Sequence, residues 1–388
     1  MRENLKSLTS LRFFAAALIV ISHSGYFGFG RDWIIPYPMG MAVSFFFVLS
    51  GFVLFYANPS IASVKAACDF LVSRFARIWP AHFAMLAIVV LFLPNSWGDV
   101  WDVDATIAFL KNALLIQSWS HTLKDFFSFN GVSWSISTEM FFYAMFPILI
   151  WRWKRTGAVK LLLGGLLAIA CIASAANLSL AGAVGPTVES IEGYVYVFPP
   201  ARLFEFLIGM VVADIWTRTK SSGLSTAKAT VLQLISIYLL VSTVPSLYMI
   251  YAGWSQTGLI SDATFKWLSG SGYLFINAFA IFSMACMNGL VAKILSNRVL
   301  VFLGEISFSI YLCHQVLLTA LMGKLATFGS MPMQYFIFWV IVIAFSSAIY
   351  VFIEKPCKRM IVSGYRNNIS FARRPDPAMT HVPNTTPA

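Results

Sequence analysis

The chain has 388 residues, of which 59% are hydrophobic and 11% are charged, and its mean hydropathy is +0.76. Soluble domains carry about 25% charged residues, so this composition excludes an ordinary soluble domain, a disordered chain and a disulfide scaffold. The apolar residues occur in blocks of about 20, the length that crosses a bilayer. We therefore predict an all-α polytopic membrane protein.

Ten membrane-spanning helices are predicted from these apolar blocks. They cover residues 8–28, 39–57, 77–93, 134–151, 160–180, 199–216, 229–250, 272–290, 299–320 and 333–353. No internal repeat is visible. We assign residues 1–360 to one transmembrane domain and expect residues 361–388, which are polar and rich in proline, to form a disordered cytoplasmic tail.

The net charge of +11 follows the predicted topology. If the N-terminus is placed inside, 21 of the 27 lysines and arginines fall on the inner side and six on the outer side. Cytoplasmic loops carry such an excess of basic residues. The charge therefore predicts that both termini are cytoplasmic, and it gives no reason to expect a nucleic-acid partner.

The longest predicted outer loop covers residues 94–133. Ile107, Leu110, Leu114 and Leu115 recur there at helical spacing. This pattern predicts an amphipathic helix on the outer surface of the membrane, in contact with lipid.

Ionisable residues inside predicted spans are costly and mark candidate sites. Arg12 and His23 lie on one face of the first span, about 16 Å apart along the helix axis. A neutral imidazole can accept a hydroxyl proton near neutral pH. We interpret His23 as a candidate general base, and a helix–helix hydrogen bond as the alternative.

Arg74 and Arg77 are three residues apart, at the predicted inner mouth of the third span. They would either anchor the topology or grip phosphate groups, which guanidinium ions bind in a bidentate manner. Glu139 lies at a depth similar to that of His23. It would pair either with His23, and so orient the imidazole, or with another buried cation.

Two further pairs have helical spacing near the outer side. Arg202 and Glu205 are expected to pair with each other in a structural role. Tyr311 and His314 would make either packing hydrogen bonds or substrate contacts. We assign both pairs, together with Trp134, to the candidate substrate site.

Motifs of other enzyme classes are missing from the sequence. There is no GxSxG elbow, no HExxH motif and no Walker A loop. The five cysteines are scattered, without the spacing of metal ligands. We therefore expect no metal cofactor.

The sequence resembles the membrane acyltransferase 3 family, the bacterial O-acetylases of lipopolysaccharide, exopolysaccharide and peptidoglycan. Seven stretches carry the resemblance, in the family's order on the predicted spans. They read LTSLRFFAAALIVISHSG, VSFFFVLSGFVLFY, SRFARIWPAHF, GVSWSISTEMFFYAMFP, RLFEFLIGM, LGEISFSIYLCHQ and VFIEKPCKR. The chain departs from the commonest family pattern beside Glu139, where Thr138 precedes it and Met140 follows it.

The resemblance implies roles for the candidate residues. Arg12 and His23 match the arginine and histidine that the family needs for transfer, and Arg74 and Arg77 match a pair thought to hold the acyl donor. Glu139 matches the family's acidic residue. The donor implied is acetyl-CoA, held by the three arginines, with His23 and Glu139 as catalytic residues.

The function implied is O-acylation of a carbohydrate hydroxyl outside the cytoplasmic (inner) membrane of a bacterium. Membrane lipids and this carbohydrate are the expected partners. Three alternatives remain open at this stage: acylation of a small molecule such as a macrolide or lipo-oligosaccharide, glycan transport without acyl transfer, and a non-catalytic scaffold.

Overall fold

The computed structural model describes residues 5–25, 38, 40–93, 103–178, 187–219, 223–321 and 323–372, with side chains up to residue 367. This part of the chain is helical, and its one β-type contact is an isolated bridge between Thr122 and Glu189. The prediction of an all-α chain is confirmed for these residues.

The helices follow one another with short connections. They are α1 (Lys6–His23), α2 (Met41–Ala57), α3 (Val64–Phe92), α4 (Val103–Ala113), α5 (Leu123–Phe126), α6 (Trp134–Ile150), α7 (Trp153–Asn177), α8 (Leu203–Thr219), α9 (Thr226–Tyr238), α10 (Val244–Gln256), α11 (Asp262–Ser271), α12 (Leu274–Ala285), α13 (Leu290–Leu295), α14 (Arg298–Glu305), α15 (Ser307–Leu321), α16 (Met331–Ile349) and α17 (Lys355–Ala372). Single π-helical turns join α9 to α10 and α16 to α17.

Each of the ten predicted spans coincides with one of these helices or with a pair of them. In the described ranges, five helical stretches are long and apolar enough to cross a membrane, and α14 with α15, bent by 59°, would make a sixth. The helices at predicted spans 8–28, 39–57, 134–151 and 199–216 have only 17 or 18 residues. The count of ten crossings therefore stays a prediction.

Two predicted boundaries differ from the structure. The third span was predicted to begin at residue 77, but α3 begins at Val64, where the Ser63 hydroxyl accepts a hydrogen bond from the amide of Ala66. Helix α17 continues to Ala372, so residues 361–372 of the predicted disordered tail are helical. Residues 373–388 lie outside the described residues.

The amphipathic helix predicted in the loop 94–133 corresponds to α4. Ile107, Leu110 and Leu114 are exposed, as a helix lying against lipid requires. Leu115 does not belong to this stripe, because it has a φ of 57° and is buried. The helix has ended before Leu115, so its side chain turns towards the protein.

Helices α2 and α8 cross at the distance that two glycines allow. A Cβ atom on Gly51 would contact the carbonyl oxygen of Phe206, and one on Gly209 would contact the carbonyl oxygen of Val48. Small residues permit this kind of backbone approach between apolar helices. The crossing helps to fix the position of α2, which lines the candidate site described below.

We expect Gly209→Ala to destabilise the protein by about 1–3 kcal/mol, the usual cost of overpacking. The measurement is thermal unfolding of the purified protein in detergent. Gly253→Ala is the matched control, because a Cβ atom there meets nothing within 4 Å. Equal unfolding temperatures for the two variants would contradict the close crossing.

Candidate active site

Three cavities follow one another along α1. The basic-end cavity has a volume of about 710 Å³ and reaches Arg12, the middle cavity of about 70 Å³ is also lined by Arg12, and the histidine-end cavity of about 330 Å³ is lined by His23. Arg77 lines both of the first two cavities, and Val43 and Tyr311 line both of the last two. Neighbouring cavities therefore share their walls.

His23 is the last residue of α1, and its side chain borders the histidine-end cavity. Its Nδ1 atom lies 2.9 Å from Nε2 of His314 on α15, and the two rings are nearly coplanar, with an angle of 9° between them. His314 is fully buried and does not line the cavity. The assignment of His314 to direct substrate contact is therefore not supported by its position.

The predicted pair of Glu139 and His23 is not formed. The Glu139 carboxylate instead accepts hydrogen bonds from the Tyr143 hydroxyl at 2.5 Å and from Ser50 Oγ at 3.4 Å, and it lines the middle cavity. The sequence predicts similar depths for the two residues, but the His23 side chain contacts His314 of α15. Glu139 lines the same cavity as the arginines of α1 and α3.

The wall of the middle cavity contains all three arginines that were predicted to share a site, Arg12, Arg74 and Arg77. Arg74 and Arg77 lie inside α3, because the helix begins earlier than predicted. The Nε atoms of Arg12 and Arg74 are buried and have no hydrogen-bond partner among the described residues. Three guanidinium groups face a single lining carboxylate here, so the cavity attracts anions.

Tyr311 and Trp134, two of the predicted substrate residues, line the histidine-end cavity. The Tyr311 hydroxyl donates to the carbonyl of Val132 at 2.8 Å and lies 2.8 Å from Ser135 Oγ. These bonds hold the ring between the middle and histidine-end cavities. Any long molecule that connects the two cavities has to pass Tyr311 and Val43.

Arg202 and Glu205 form a bidentate ion pair at 2.6 and 3.0 Å, and both side chains are fully buried. The predicted pairing is confirmed. Neither residue lines any of the three cavities, and this position fits the structural role expected from the pairing. The Arg202 guanidinium instead lies over the rings of Trp134 and Tyr196, which line the histidine-end cavity.

We expect Glu205→Gln to cost about 3–5 kcal/mol of stability, because the variant leaves the Arg202 charge buried without a counter-ion. Thermal unfolding in detergent measures this loss. Asp69→Asn is the control: it removes an ion pair with Lys65 in which both side chains are more than 40% exposed, and such pairs contribute at most about 1 kcal/mol. Equal losses from the two changes would refute the structural role.

The basic-end cavity is lined partly by basic residues of α17, which in the sequence counted only towards the predicted topology. Helix α17 supplies Lys355, Lys358, Arg359 and Arg366, and Arg12 and Arg77 complete the cationic lining. The acidic lining residues are Glu305 and Glu354. This cavity lies beside the beginning of α1, and its excess of cations suits a polyanionic ligand.

The segment between α4 and α6 roofs the histidine-end cavity through Phe127, Gly131 and Val132. Asp125 anchors this segment. Its partial burial raises the pKa of the carboxyl, but hydrogen bonds from Lys111, at 2.7 Å, and Ser120 outweigh burial and hold the pKa below its usual value. The carboxylate is therefore charged at neutral pH, and the roof is tied to α4.

Three lining residues escaped the sequence analysis. Tyr143 lies four residues after Glu139, one helical turn further on the same face, so its spacing was a usable signal. Ser50 lies within a stretch that resembles the family but carries no charge. Tyr196 lies in a π-helical turn (Gly193–Val197) that was not predicted from the sequence.

Comparisons with known proteins show the family of the chain. A sequence profile described as an acyltransferase domain matches residues 5–351, nearly the whole chain. The chain belongs to the membrane acyltransferase 3 family. As a member of this family it is an acyltransferase of groups other than aminoacyl groups, and its apolar helices make it a multi-pass membrane protein.

Relatives within the acyltransferase 3 family differ in length. Acyltransferase MdmB of Streptomyces mycarofaciens is 30% identical, over 99% of this chain and 98% of its own. A provisionally named O-acetyltransferase of Staphylococcus aureus strain COL is 26% identical over 92% of this chain but 57% of its own. A provisionally named peptidoglycan O-acetyltransferase, YrhL of Bacillus subtilis strain 168, is 26% identical over 95% and 56%. No solved structure matches the chain significantly.

Proposed function

We propose that this protein transfers an acetyl group from cytoplasmic acetyl-CoA to a hydroxyl group of a carbohydrate on the outer side of the bacterial cytoplasmic membrane. The row of three cavities from a cationic mouth to a histidine carries this proposal. The basic end would face the cytoplasm, as the excess of lysine and arginine there favours. Both termini would then be cytoplasmic, with ten crossings.

The donor is held by charge at one end and by shape along its length. The cations of α17 would bind its nucleotide phosphates in the basic-end cavity. Arg12, Arg74 and Arg77 would bind the phosphates nearest to the pantetheine arm. The narrow middle cavity is lined mostly by apolar side chains of α2, α6 and α15, which suit a thin chain and exclude a bulky one.

His23 acts as the general base at the far end. It removes the proton of the acceptor hydroxyl while the hydroxyl oxygen attacks the thioester carbonyl. The carbon–sulfur bond breaks, and the departing thiolate takes the proton from His23. The acceptor leaves as an ester and the donor as a thiol, so atoms and charge balance without a metal or a redox partner.

Glu139 serves the donor side and not the imidazole. Its contacts with Tyr143 and Ser50 hold the carboxylate among the three arginines. A carboxylate in that position offsets the mutual repulsion of the guanidinium groups and holds them at the cavity. We therefore propose that Glu139 is a positioning residue for the arginines, a role that replaces its assignment as partner of His23.

The histidine-end cavity has the size and lining of an acceptor site. Small-molecule sites have volumes of about 300–1,000 Å³ with apolar and aromatic walls and few polar groups. Trp134, Tyr196 and Tyr311 supply the aromatic rings, and His23 and Gln315 supply polar atoms. The relatives named as O-acetyltransferases support an ester product.

The test compares the envelope glycans of a deletion strain and its parent by mass spectrometry, with a complemented strain as control. We expect the deletion strain to lose one acetyl mass per modified sugar. Purified protein in liposomes should then incorporate label from acetyl-CoA into the extracted glycan. Label found only in a small secreted molecule would favour small-molecule acylation, and glycan movement without label would indicate a transporter.

A further inference from the structure

When the two rings of the histidine pair are neutral, only one assignment of donors and acceptors satisfies their hydrogen bonds. Nδ1 of His314 lies 3.2 Å from the carbonyl oxygen of Ile310. A carbonyl oxygen can only accept, so this Nδ1 carries the proton. In a neutral ring the other nitrogen, Nε2, is then an acceptor.

The same assignment of donors and acceptors extends to His23. Since Nε2 of His314 accepts, Nδ1 of His23 must donate across the 2.9 Å that separates them. The remaining nitrogen of His23, Nε2, then carries a lone pair. His23 borders the histidine-end cavity and His314 lies behind it, fully buried, so this lone pair is the one available to a ligand in the cavity.

We infer that His314 is a positioning residue that selects the tautomer of His23 and leaves its Nε2 unprotonated as the base. This inference rests on the proposed function and deepens it, because it names the reacting atom. A neutral histidine does here what a carboxylate does in other base–orienter pairs. The fixed backbone of α15 supplies the last acceptor in the chain of bonds.

The burial of His314 explains why a neutral partner suits this position. A carboxylate behind His23 would need desolvation and a counter-ion, whereas a neutral imidazole satisfies both of its nitrogens with Ile310 and His23. When His23 accepts a proton in the reaction, its bond to His314 becomes charge-assisted and therefore stronger. The pair thus stabilises the protonated base without a buried anion.

Two substitutions separate this role from packing. In His314→Gln the side-chain oxygen reaches the position of Nε2 and can still accept from His23. In His314→Asn the amide reaches only the position of Nδ1, so it keeps the bond to the Ile310 carbonyl and loses the one to His23. The two variants have similar polarity and differ in whether they keep the hydrogen bond to His23.

The first measurement is the nitrogen NMR spectrum of protein with ¹⁵N-labelled histidine in lipid nanodiscs, without donor or acceptor. The chain has five histidines, and a His23→Gln spectrum assigns the His23 signals by difference. We expect Nδ1 of His23 to be protonated and Nε2 to be unprotonated. In His314→Asn this preference should disappear, and in His314→Gln it should persist. Protonated Nε2 in the wild-type protein would overturn the inference.

The second measurement is the kcat for label transfer from acetyl-CoA to extracted envelope glycan, with donor affinity measured separately. General base catalysis contributes about 10²–10⁴-fold, so His314→Asn should lose on the order of 100-fold in kcat with unchanged donor affinity. His314→Gln should keep its rate within about tenfold of wild type. Equal losses in the two variants would overturn the inference.

The two measurements also separate this inference from the proposed function. If the wild-type protein transfers acetyl groups but carries the proton on Nε2 of His23, the choice of tautomer is wrong and the function stands. If the wild-type protein transfers nothing to any carbohydrate while the spectrum shows the expected tautomers, the proposed function is wrong and the hydrogen-bond order stands.

Discussion

His23→Gln is expected to lower the kcat of acyl transfer by about 10²–10⁴-fold and to leave the affinity for acetyl-CoA unchanged. The amide cannot take up a proton at neutral pH, so the base is lost. Donor binding should be spared because the arginines that we propose to hold the donor line a different cavity from the one that His23 borders. The measurement is label transfer by purified protein, with donor binding by calorimetry.

His121→Gln is the matched control for this experiment. His121 is a second histidine near the same end, but it stacks on Tyr194 with ring centroids 3.8 Å apart and bonds to the carbonyl of Gly193. It lines none of the three cavities described above. Transfer at the wild-type rate by His23→Gln would remove the acid–base mechanism.

Replacing both Arg74 and Arg77 by glutamine raises the dissociation constant for acetyl-CoA by about 10²-fold or more. A hydrogen bond to a charged group contributes about 1.5–3 kcal/mol, and each 1.4 kcal/mol is tenfold in affinity. The loss of two guanidinium contacts should therefore raise the dissociation constant by more than about a hundredfold. Calorimetry at low and high salt measures the effect, which should shrink as salt rises.

A short thioester without phosphates makes this second test specific. The variant and the wild-type protein should use S-acetyl-N-acetylcysteamine equally well, because that molecule offers the arginines no anion. Arg155→Gln is the control, since Arg155 is an exposed residue near the start of α7 that lines none of these cavities. Unchanged affinity for acetyl-CoA in the double variant would mean that Arg74 and Arg77 serve only topology.

Local spacing explains which parts of the site were predictable. The bidentate pair of Arg202 and Glu205 follows from residues three apart on one helix. Arg74 and Arg77 face the same cavity for the same reason. The apolar blocks likewise placed a helix at each of the ten predicted spans, because a bilayer-length run of apolar residues has few other stable conformations.

Contacts between distant helices were not predictable in this way. The similar depths of Glu139 and His23 along their helices permitted a pair between them, and the sequence left this pair and a pair with another buried cation open. Depth says nothing of the direction in which a side chain points around the helix axis. The direction depends on helix packing, and packing depends on close crossings such as that of Gly51 and Gly209.

The sequence alone determined that the chain is helical, apolar and asymmetric in charge, and that its ionisable residues inside the spans are few. Each of these properties depends only on composition and on the spacing of residues within short segments. Only the tertiary structure decided that His23 pairs with His314, 291 residues away, and that Glu139 belongs with the arginines. Such pairings depend on the relative rotation and crossing of whole helices, which no short segment encodes.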